Sequence, residues 1–388
     1  MSASLEIRGL GGLVTGRIGE AVAEVEAIRV EDGLIAGFEA TGEADSVLEA
    51  GGAVAIPGLI DSHAHVVFGD WTPRQQALGW IESSMHGGVT AMMSASEVHL
   101  PGRPKDRDGV KALALTAQRA YSGFRPGGVK VLAGSLIIEP TLEPSDFAEL
   151  AEQGVWLAKV GFGDFESQAD AAPLVRAAQE AGFVVMNHTG GASIPDSSPV
   201  TISDVLALGC DIIGHANGGT TALPDADLPR LFEAPGAIQL VQAGNLRSSL
   251  RIVDLARERG ALDRLVIATD TPTGTGVMPL GMIKTVCELS SLGGLPAPDA
   301  IAMASGSNGA VLRRPEGVLA PGRPADLSLC FEPLGSAWGD PLSAIEHGDI
   351  PGIAAVVVEG AVRALRSRNT PAPAGRCRVV EPAEVPAP

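Results

Sequence analysis

From Val54 onward, short apolar runs alternate with longer amphipathic or alanine-rich stretches. Eight runs read as strands: Val54–Ile60, Val89–Ala95, Val129–Ile137, Val155–Phe162, Phe183–His188, Asp211–His215, Ala237–Val241 and Leu265–Asp270. Helices are expected over Arg74–His86, Val110–Tyr121, Ser145–Glu152, Ala169–Ala181, Ile202–Leu208, Asp227–Phe232, Ser248–Arg259 and Leu280–Ser291. Apolar runs of this length fit strands covered on both faces, and their alternation with helices predicts βα units around a parallel sheet. Eight units from Val54 to Asn308 occupy about 255 residues, the size of a (β/α)8 TIM barrel.

The pattern differs at both ends. Ala27–Val30, Leu34–Phe38 and Ser46–Leu48 are short β-like runs separated by Glu31-Asp32-Gly33 and Gly42-Glu43, which predicts a small antiparallel sheet. After the turn-rich Gly317–Gly322 the β pattern returns in Ala325–Phe331, Ile353–Val358 and Ala361–Leu365, with Glu359-Gly360 as a hairpin turn. The two end pieces are expected to pair into a small β-sandwich domain. The expected division is 1–53 and 313–370 for the sandwich, 54–312 for the barrel and 371–388 for a Pro/Ala-rich tail. That tail is either solvated or wrapped around a neighbouring subunit of a homo-oligomer, a dimer or tetramer.

Composition narrows the partners. The 388 residues carry a net charge of −18, so a polyanion is repelled and nucleic-acid binding is not expected. With aromatics at 4% and a single tyrosine, there is no stacking platform for bases either. No basic stretch followed by an apolar run opens the chain, and no apolar stretch approaches the ~18 residues of a membrane span. Cys210, Cys287, Cys330 and Cys377 are scattered without C-x-x-C spacing, which reads as structural thiols in a reducing cytoplasm.

Candidate chemistry gathers at the strand ends. His63 and His65 stand in Asp-Ser-His-Ala-His, and a period of two puts both imidazoles on one side of the first barrel strand. His188 ends the fifth run, His215 the sixth and Asp270 the eighth, while Lys159 lies in the fourth. Barrel active sites sit at the C-terminal ends of the strands, so these side chains converge on one mouth. Four of the seven histidines at such ends, with an aspartate at another, is not the scatter of core histidines. It points to a metal site. Of the others, His86 precedes Gly87-Gly88 at a helix end, His99 follows the second strand and is a candidate to line the site, and His347 reads as surface.

Gly58-Leu59-Ile60-Asp61-Ser62-His63-Ala64-His65, with the later Lys, His, His and Asp, resembles the amidohydrolase superfamily over nearly the whole chain. That family flanks its barrel with a split β-sandwich, and Pro321-Gly322-Arg323-Pro324-Ala325-Asp326-Leu327 resembles its return into that sandwich. Asp70–Gln75, Pro101–Asp106, Thr189-Gly190-Gly191 and Ser367–Pro371 resemble its enamidase-like branch, which acts in nicotinate degradation.

Imidazoles and carboxylates suit a borderline divalent ion, zinc first, with iron and manganese also suited. Two ions need a bridging anion. An ammonium cannot supply it, but a lysine carbamylated by CO2 can. The resemblance implies that role for Lys159, although enamidase-like members can carry a glutamate there. It implies His63, His65 and Asp270 on one ion, His188 and His215 on the other, and a metal-activated hydroxide that attacks an amide carbonyl. Asp270 would accept the water's proton and deliver it to the leaving nitrogen.

The implied substrate is a small anionic cyclic amide, an enamide or lactam carboxylate. Arg74, His99, Arg103, Lys105, Gln242 and Asn245 follow the first, second and seventh strands and are the candidate substrate contacts. Other amidases of the fold, dihydroorotase-, hydantoinase- or dipeptidase-like, are the alternatives. A deaminase fits less well, because such members usually lack the bridging lysine. An inactive scaffold would have lost ligands, and this chain keeps them. There is no G-x-S-x-G, P-loop or G-x-G-x-x-G pattern.

Overall fold

The computed structural model describes residues 4–42, 44–67, 74–97, 102–192, 197–272 and 276–380, with the side chains of 74–78 left aside. Strands β1 (Ser4–Arg8), β2 (Gly12–Leu13), β3 (Ala27–Glu31), β4 (Leu34–Gly37), β5 (Ser46–Glu49) and β6 (Val54–Pro57) open the chain. Next come β7 (Leu59–Ala64), β8 (Val89–Ser94), β9 (Lys130–Leu132), β10 (Ser135–Ile137), β11 (Leu157–Val160), β12 (Val184–Asn187), β13 (Ile212–Ile213), β14 (Ala237–Val241) and β15 (Leu265–Ala268). Between and after them run α1 (Arg74–Met85), α2 (Arg107–Tyr121), α3 (Pro144–Glu152), α4 (Ala172–Glu180), α5 (Ile202–Leu208), α6 (Leu246–Arg259) and α7 (Gly281–Ser291). The chain ends with α8 (Ala297–Met303), α9 (Gly306–Val311), β16 (Leu327–Phe331), α10 (Pro341–Glu346), β17 (Gly352–Val358), β18 (Ala361–Leu365) and β19 (Arg378–Val380). Two compact units result. One holds the ends of the chain up to Ile60 and from Val286, with Ser83–Thr90; the other holds Asp61–Glu82 and Ala91–Thr285.

In the second unit, β10 through β15 form a sheet in sequence order, every pair parallel. A second parallel sheet runs β7-β8-β9. β9 and β10 are one strand position interrupted at Ala133-Gly134, so the expected Val129–Ile137 strand is broken in two. The first and last positions are joined: the Asp270 N–H donates to His63 O at 2.7 Å and the His65 N–H to Thr271 O at 2.9 Å. Eight parallel strand positions therefore follow one another among the described residues. β11, β12 and β15 are buried at every residue, with Lys159 and Asn187 the polar exceptions in otherwise apolar strands. Local signals set the helix ends: Thr201 and Asp204 form a capping box at the start of α5, and Asn245 caps α6 by accepting from the Ser248 N–H. Where an α-helix was expected over Asp227–Phe232, the chain forms a 3-10 helix over Leu228–Glu233.

The first unit holds two five-stranded sheets among its described residues, ordered β19-β5-β1-β3-β4 and β18-β17-β16-β6-β2. One apolar cluster takes Leu5, Ile7, Ile28, Val30 and Leu48 from the first and Ala55, Leu327, Leu329, Phe331 and Val357 from the second. Three expectations need correction. The N-terminal sheet is mixed, because β1 pairs antiparallel with β3 but parallel with β5. Val54–Pro57 is not the start of the first of the eight strand positions; it pairs antiparallel with β16 and parallel with β2, and that position, β7, begins at Leu59. The tail is not featureless, since β19 adds an antiparallel edge to β5 and Cys377 is buried against Ala50 O. The hairpin β17–β18 forms where Glu359-Gly360 predicted it. Both turn residues have positive φ, 51° and 73°, the requirement of a type I′ turn that glycine meets without strain. Among the described residues no helix is long and apolar enough to cross a membrane.

Candidate metal centre

The ends of the parallel strands carry the candidate ligands. His63 lies on β7 with His65 just beyond it, Lys159 lies on β11, His188 follows β12, and His215 and Asp270 stand two residues past β13 and β15. His63, His65, Lys159, His188 and His215 are each less than a tenth exposed. The chain bends sharply at two of these positions: His215 has φ 34° and Asp270 φ 57°, left-handed conformations that cost about 1–3 kcal/mol each in a residue other than glycine. Gly161, just after β11, admits His188 closely, because a Cβ there would fall 2.5 Å from the His188 Cβ.

His63, His65 and Asp270 form a compact triad. Asp270 Oδ1 lies 3.3 Å from His63 Nε2 and 3.2 Å from His65 Nε2, and one ligand atom from each residue falls within 4.8 Å of the others. The neighbouring imidazoles adjoin it, with ring centres 5.4 Å apart for His63 and His215 and 4.5 Å for His188 and His215. His188 Nε2 donates to Gly191 O at 2.9 Å, since a carbonyl can only accept; its Nδ1 therefore carries the lone pair. That Nδ1 and the Nδ1 of His215 are buried without a hydrogen-bond partner among the described residues. Buried polar atoms are rarely left so, and a cation is what imidazole lone pairs of this kind receive. The donor set fits a divalent metal.

Burial explains the protonation states. Removal from water, reinforced by the Lys159 charge, holds His63 well below its ordinary value, with Asp270 opposing. The same loss of solvent lowers His188 strongly and brings His215 down to about 4. These imidazoles are neutral at neutral pH, the form in which a ring nitrogen can receive a cation. Burial alone would raise the Asp270 carboxyl, but the imidazoles of His63 and His65 outweigh it and hold it well below the usual range. Burial also brings Lys159 down to about 8. Its Nζ lies 3.3 Å from Met186 Sδ and 6.0 Å from the centre of the Phe162 ring, and the Asp270 carboxylate opposes the loss of its proton.

A supporting layer escaped the sequence reading. Gln239, fully buried on β14, places Oε1 2.6 Å from His63 Nδ1 and 3.3 Å from the His215 backbone N, and its Nε2 2.9 Å from Ser62 Oγ and 3.4 Å from Ser62 O. Asp61 accepts from Thr269 N and Oγ1 at 3.0 and 2.6 Å and from His63 N at 3.2 Å. Burial pushes its carboxyl up to about 7 against those bonds. The Asn217 side chain donates to Val241 O and accepts from the Val241 N–H, at 2.9 and 2.8 Å, acting as a length of strand beside β14. The available signal was a polar residue inside an apolar strand, Gln239 in Ala-Ile-Gln-Leu-Val and Asp61 in Leu-Ile-Asp-Ser-His.

The candidate substrate contacts fare unevenly. Arg103 is buried and committed: its guanidinium pairs with the buried Glu139 and donates to Phe162 O and Pro104 O. It ties together the loops after β8, β10 and β11 rather than offering a free fork. Lys105 is exposed and pairs with exposed Asp164 at 3.4 Å. Asn245, expected at the substrate, is instead an exposed helix cap, because its Oδ1 is engaged by the Ser248 N–H. Gln242 is half-buried past β14. The Arg74 side chain and His99 lie outside the described residues. His86 is buried, its carbonyl accepting from Ser367 Oγ and its Nδ1 from the Arg368 N–H, and His347 is stacked on Trp338.

Comparison with known proteins now has a geometry to explain. No family model matches the chain. Enamidase from Eubacterium barkeri is 43% identical over 373 residues, 94% of this chain and 96% of its own length. The crystal structure of an enamidase, described as a member of the amidohydrolase superfamily, superposes with a TM-score of 0.92 at 41% identity, covering 97% of this chain and all of that one. An imidazolonepropionase from Salinispora arenicola is 26% identical across 85% of this chain and 93% of its own. A Xaa-Pro dipeptidase structure, 16% identical with a TM-score of 0.61 over 93% of this chain and 99% of that one, shares the fold. The chain belongs to the amidohydrolase superfamily. Enamidase is a full-length relative within that superfamily.

Proposed function

We propose that this chain hydrolyses a carbon–nitrogen bond in a cyclic enamide or lactam carboxylate. The observation that carries the reading is the 43% identity with enamidase along almost the whole of both chains. The grouping of His63, His65 and Asp270 supports it. On this reading the parallel strands are a (β/α)8 barrel, residues 54–312, set between the halves of a β-sandwich, residues 1–53 and 313–370, followed by the tail. A homo-oligomer in the cytoplasm is the expected setting.

His63, His65 and Asp270 would hold one divalent ion and His188 and His215 a second, zinc being the first choice. Lys159 would bridge them as a carbamate: the free amine attacks CO2, the nitrogen loses a proton, and two carboxyl oxygens result. The low basicity of buried Lys159 supports this, because only the unprotonated amine adds CO2. When bound, divalent ions supply Lewis acidity toward an amide carbonyl and toward water. The chain's own residues do the rest. The Asp270 carboxylate accepts a proton from the attacking water and returns it to the ring nitrogen as the carbonyl–nitrogen bond breaks. The tethered enamine released from an enamide then takes up a second water and loses ammonia, leaving an aldehyde acid. Buried Arg103 orders the mouth loops, and Arg74, His99 and Gln242 remain the side chains to test for binding the substrate.

The test is a product-identified screen. Ammonia release and an aldehyde signal by NMR are expected with a six-membered cyclic enamide carboxylate, and a chelator should abolish both. Turnover of dihydroorotate, a hydantoin or an imidazolone with none of the enamide would replace the substrate assignment. Metal reconstitution without bicarbonate should lower metal content; full loading without any CO2 source would remove the carbamate.

A further inference from the structure

The roles of the atoms around Gln239 are fixed by chemistry. The His215 backbone N–H can only donate, so the atom 3.3 Å from it must be Oε1. The Ser62 backbone carbonyl can only accept, so the atom 3.4 Å from it must be Nε2. The amide therefore cannot be flipped. Oε1 then faces His63 Nδ1 at 2.6 Å, and an oxygen that only accepts requires a proton on that nitrogen. The lone pair of His63 is thereby confined to Nε2, which faces Asp270 Oδ1 at 3.3 Å. Two lone-pair atoms in contact in a buried site repel unless a cation lies between them.

We infer that Gln239 is the positioning residue of the centre: it fixes the His63 tautomer with Nε2 toward the ions and, through the same oxygen, holds the backbone at His215. One amide thus joins a ligand of the first proposed ion to the chain segment carrying a ligand of the second. The bond to His63 spans 176 residues of sequence and the bond to His215 spans 24, so Gln239 sets the separation of the two ligand groups across the strand ends. Among the described residues the partner of His63 Nδ1 is this amide oxygen and not a carboxylate. A neutral acceptor orients the ring without making it a more basic ligand. This inference rests on the binuclear reading above and adds that the affinities of the two ions are coupled through one side chain.

The experiment uses full-length protein stripped of metal and titrated with Co2+, followed by visible absorption and by metal analysis after desalting. Gln239→Leu removes the oxygen that serves both His63 Nδ1 and the His215 N–H, at similar volume, and should weaken both ions together, by roughly 10–100-fold, the usual effect of losing such a partner. Gln239→Glu keeps an oxygen toward His63 Nδ1 and the His215 N–H and should restore most of that loss. Far-ultraviolet circular dichroism and the melting temperature of the metal-free variants separate misfolding from misplacement, with Gln239→Met as the alternative if the Leu variant does not fold. Unaltered Co2+ affinity and spectrum in folded Gln239→Leu would overturn the inference. So would loss of one ion with the other unaffected. Wild-type protein that binds no Co2+ would instead defeat the binuclear reading itself.

Discussion

His63 and His188 are both buried at the ends of parallel strands, yet they present opposite ring nitrogens to the same mouth. His63 is held by Nδ1 through a side-chain amide and offers Nε2. His188 is held by Nε2 through the Gly191 backbone carbonyl and offers Nδ1. The holder decides the tautomer, and the tautomer decides which nitrogen can bind an ion. The two holders differ in vulnerability: one substitution removes the Gln239 amide, whereas no side-chain change removes a carbonyl. The proposed first ligand group is thus open to tuning by sequence, and the proposed second is fixed by the path of the chain, where Gly191 N donates to Thr221 O at 2.9 Å and Gly190 pairs with Val200.

The comparison can be broken at several points. The largest effect belongs to Asp270, which faces both His63 and His65: Asp270→Asn should lower kcat for ring opening roughly 10²–10⁴-fold, the range of a lost general acid–base group. Ammonia-release kinetics measure it, and full activity would remove Asp270 from the chemistry. Removal of metal from the wild type should come next. A ligand at 100 times its Kd stabilises by about 2.7 kcal/mol, so a chelator should lower the melting temperature by the corresponding amount. An unchanged melting curve would mean the orphaned Nδ1 atoms of His188 and His215 receive no ion.

Asn217→Ala sharpens the second group, since it leaves the Val241 N–H and carbonyl without the side chain that now completes them. It should cost about 2 kcal/mol in a urea titration, from buried polar groups left unpaired. A smaller effect comes from the scaffold outside both groups. Burial would raise the Asp146 carboxyl, but bonds from Lys111, the Glu143 N–H and Arg107 outweigh it and lower its pKa. A depressed carboxylate stabilises the fold above its unfolded pKa, about 3.9, and that contribution disappears as pH falls through the lower folded value. Asp146→Asn should therefore be less stable than wild type at pH 6 and converge with it in strong acid, as seen by melting temperature against pH. The smallest effect is expected from Gly191→Ala: its added Cβ meets Thr221 at an ordinary 3.6 Å and the carbonyl stays in place. Co2+ affinity should be unchanged, and a large loss would show that the two holders are not as different as the geometry makes them.

The parallel strands were legible because strands buried on both faces are mostly apolar, and the C-terminal ends of parallel strands are where such sheets place chemistry. That rule singled out His63, His65, His188, His215 and Asp270 as candidates, while Lys159, inside its strand, took its proposed role from the family resemblance. Arg103 could not. A charged residue in a loop after a strand looks available in sequence, and only its pairing with buried Glu139 shows that it is already engaged. Asn245 was misread for a related reason, since a polar residue past a strand end is equally a helix cap.

By itself, then, the sequence determined the succession of strands and helices, the acidic charge balance and the set of candidate ligand side chains at the strand ends. All of these rest on local period, composition or position along a strand. Tertiary structure alone decided that β19 returns to the edge of β5, that Val54–Pro57 pairs with β16, and that Gln239 meets His63. Those contacts join segments far apart in the chain, and a residue's partner across such a distance leaves no periodic mark on either segment. The tautomer of His63, and with it the nitrogen offered to an ion, is a property of that pairing.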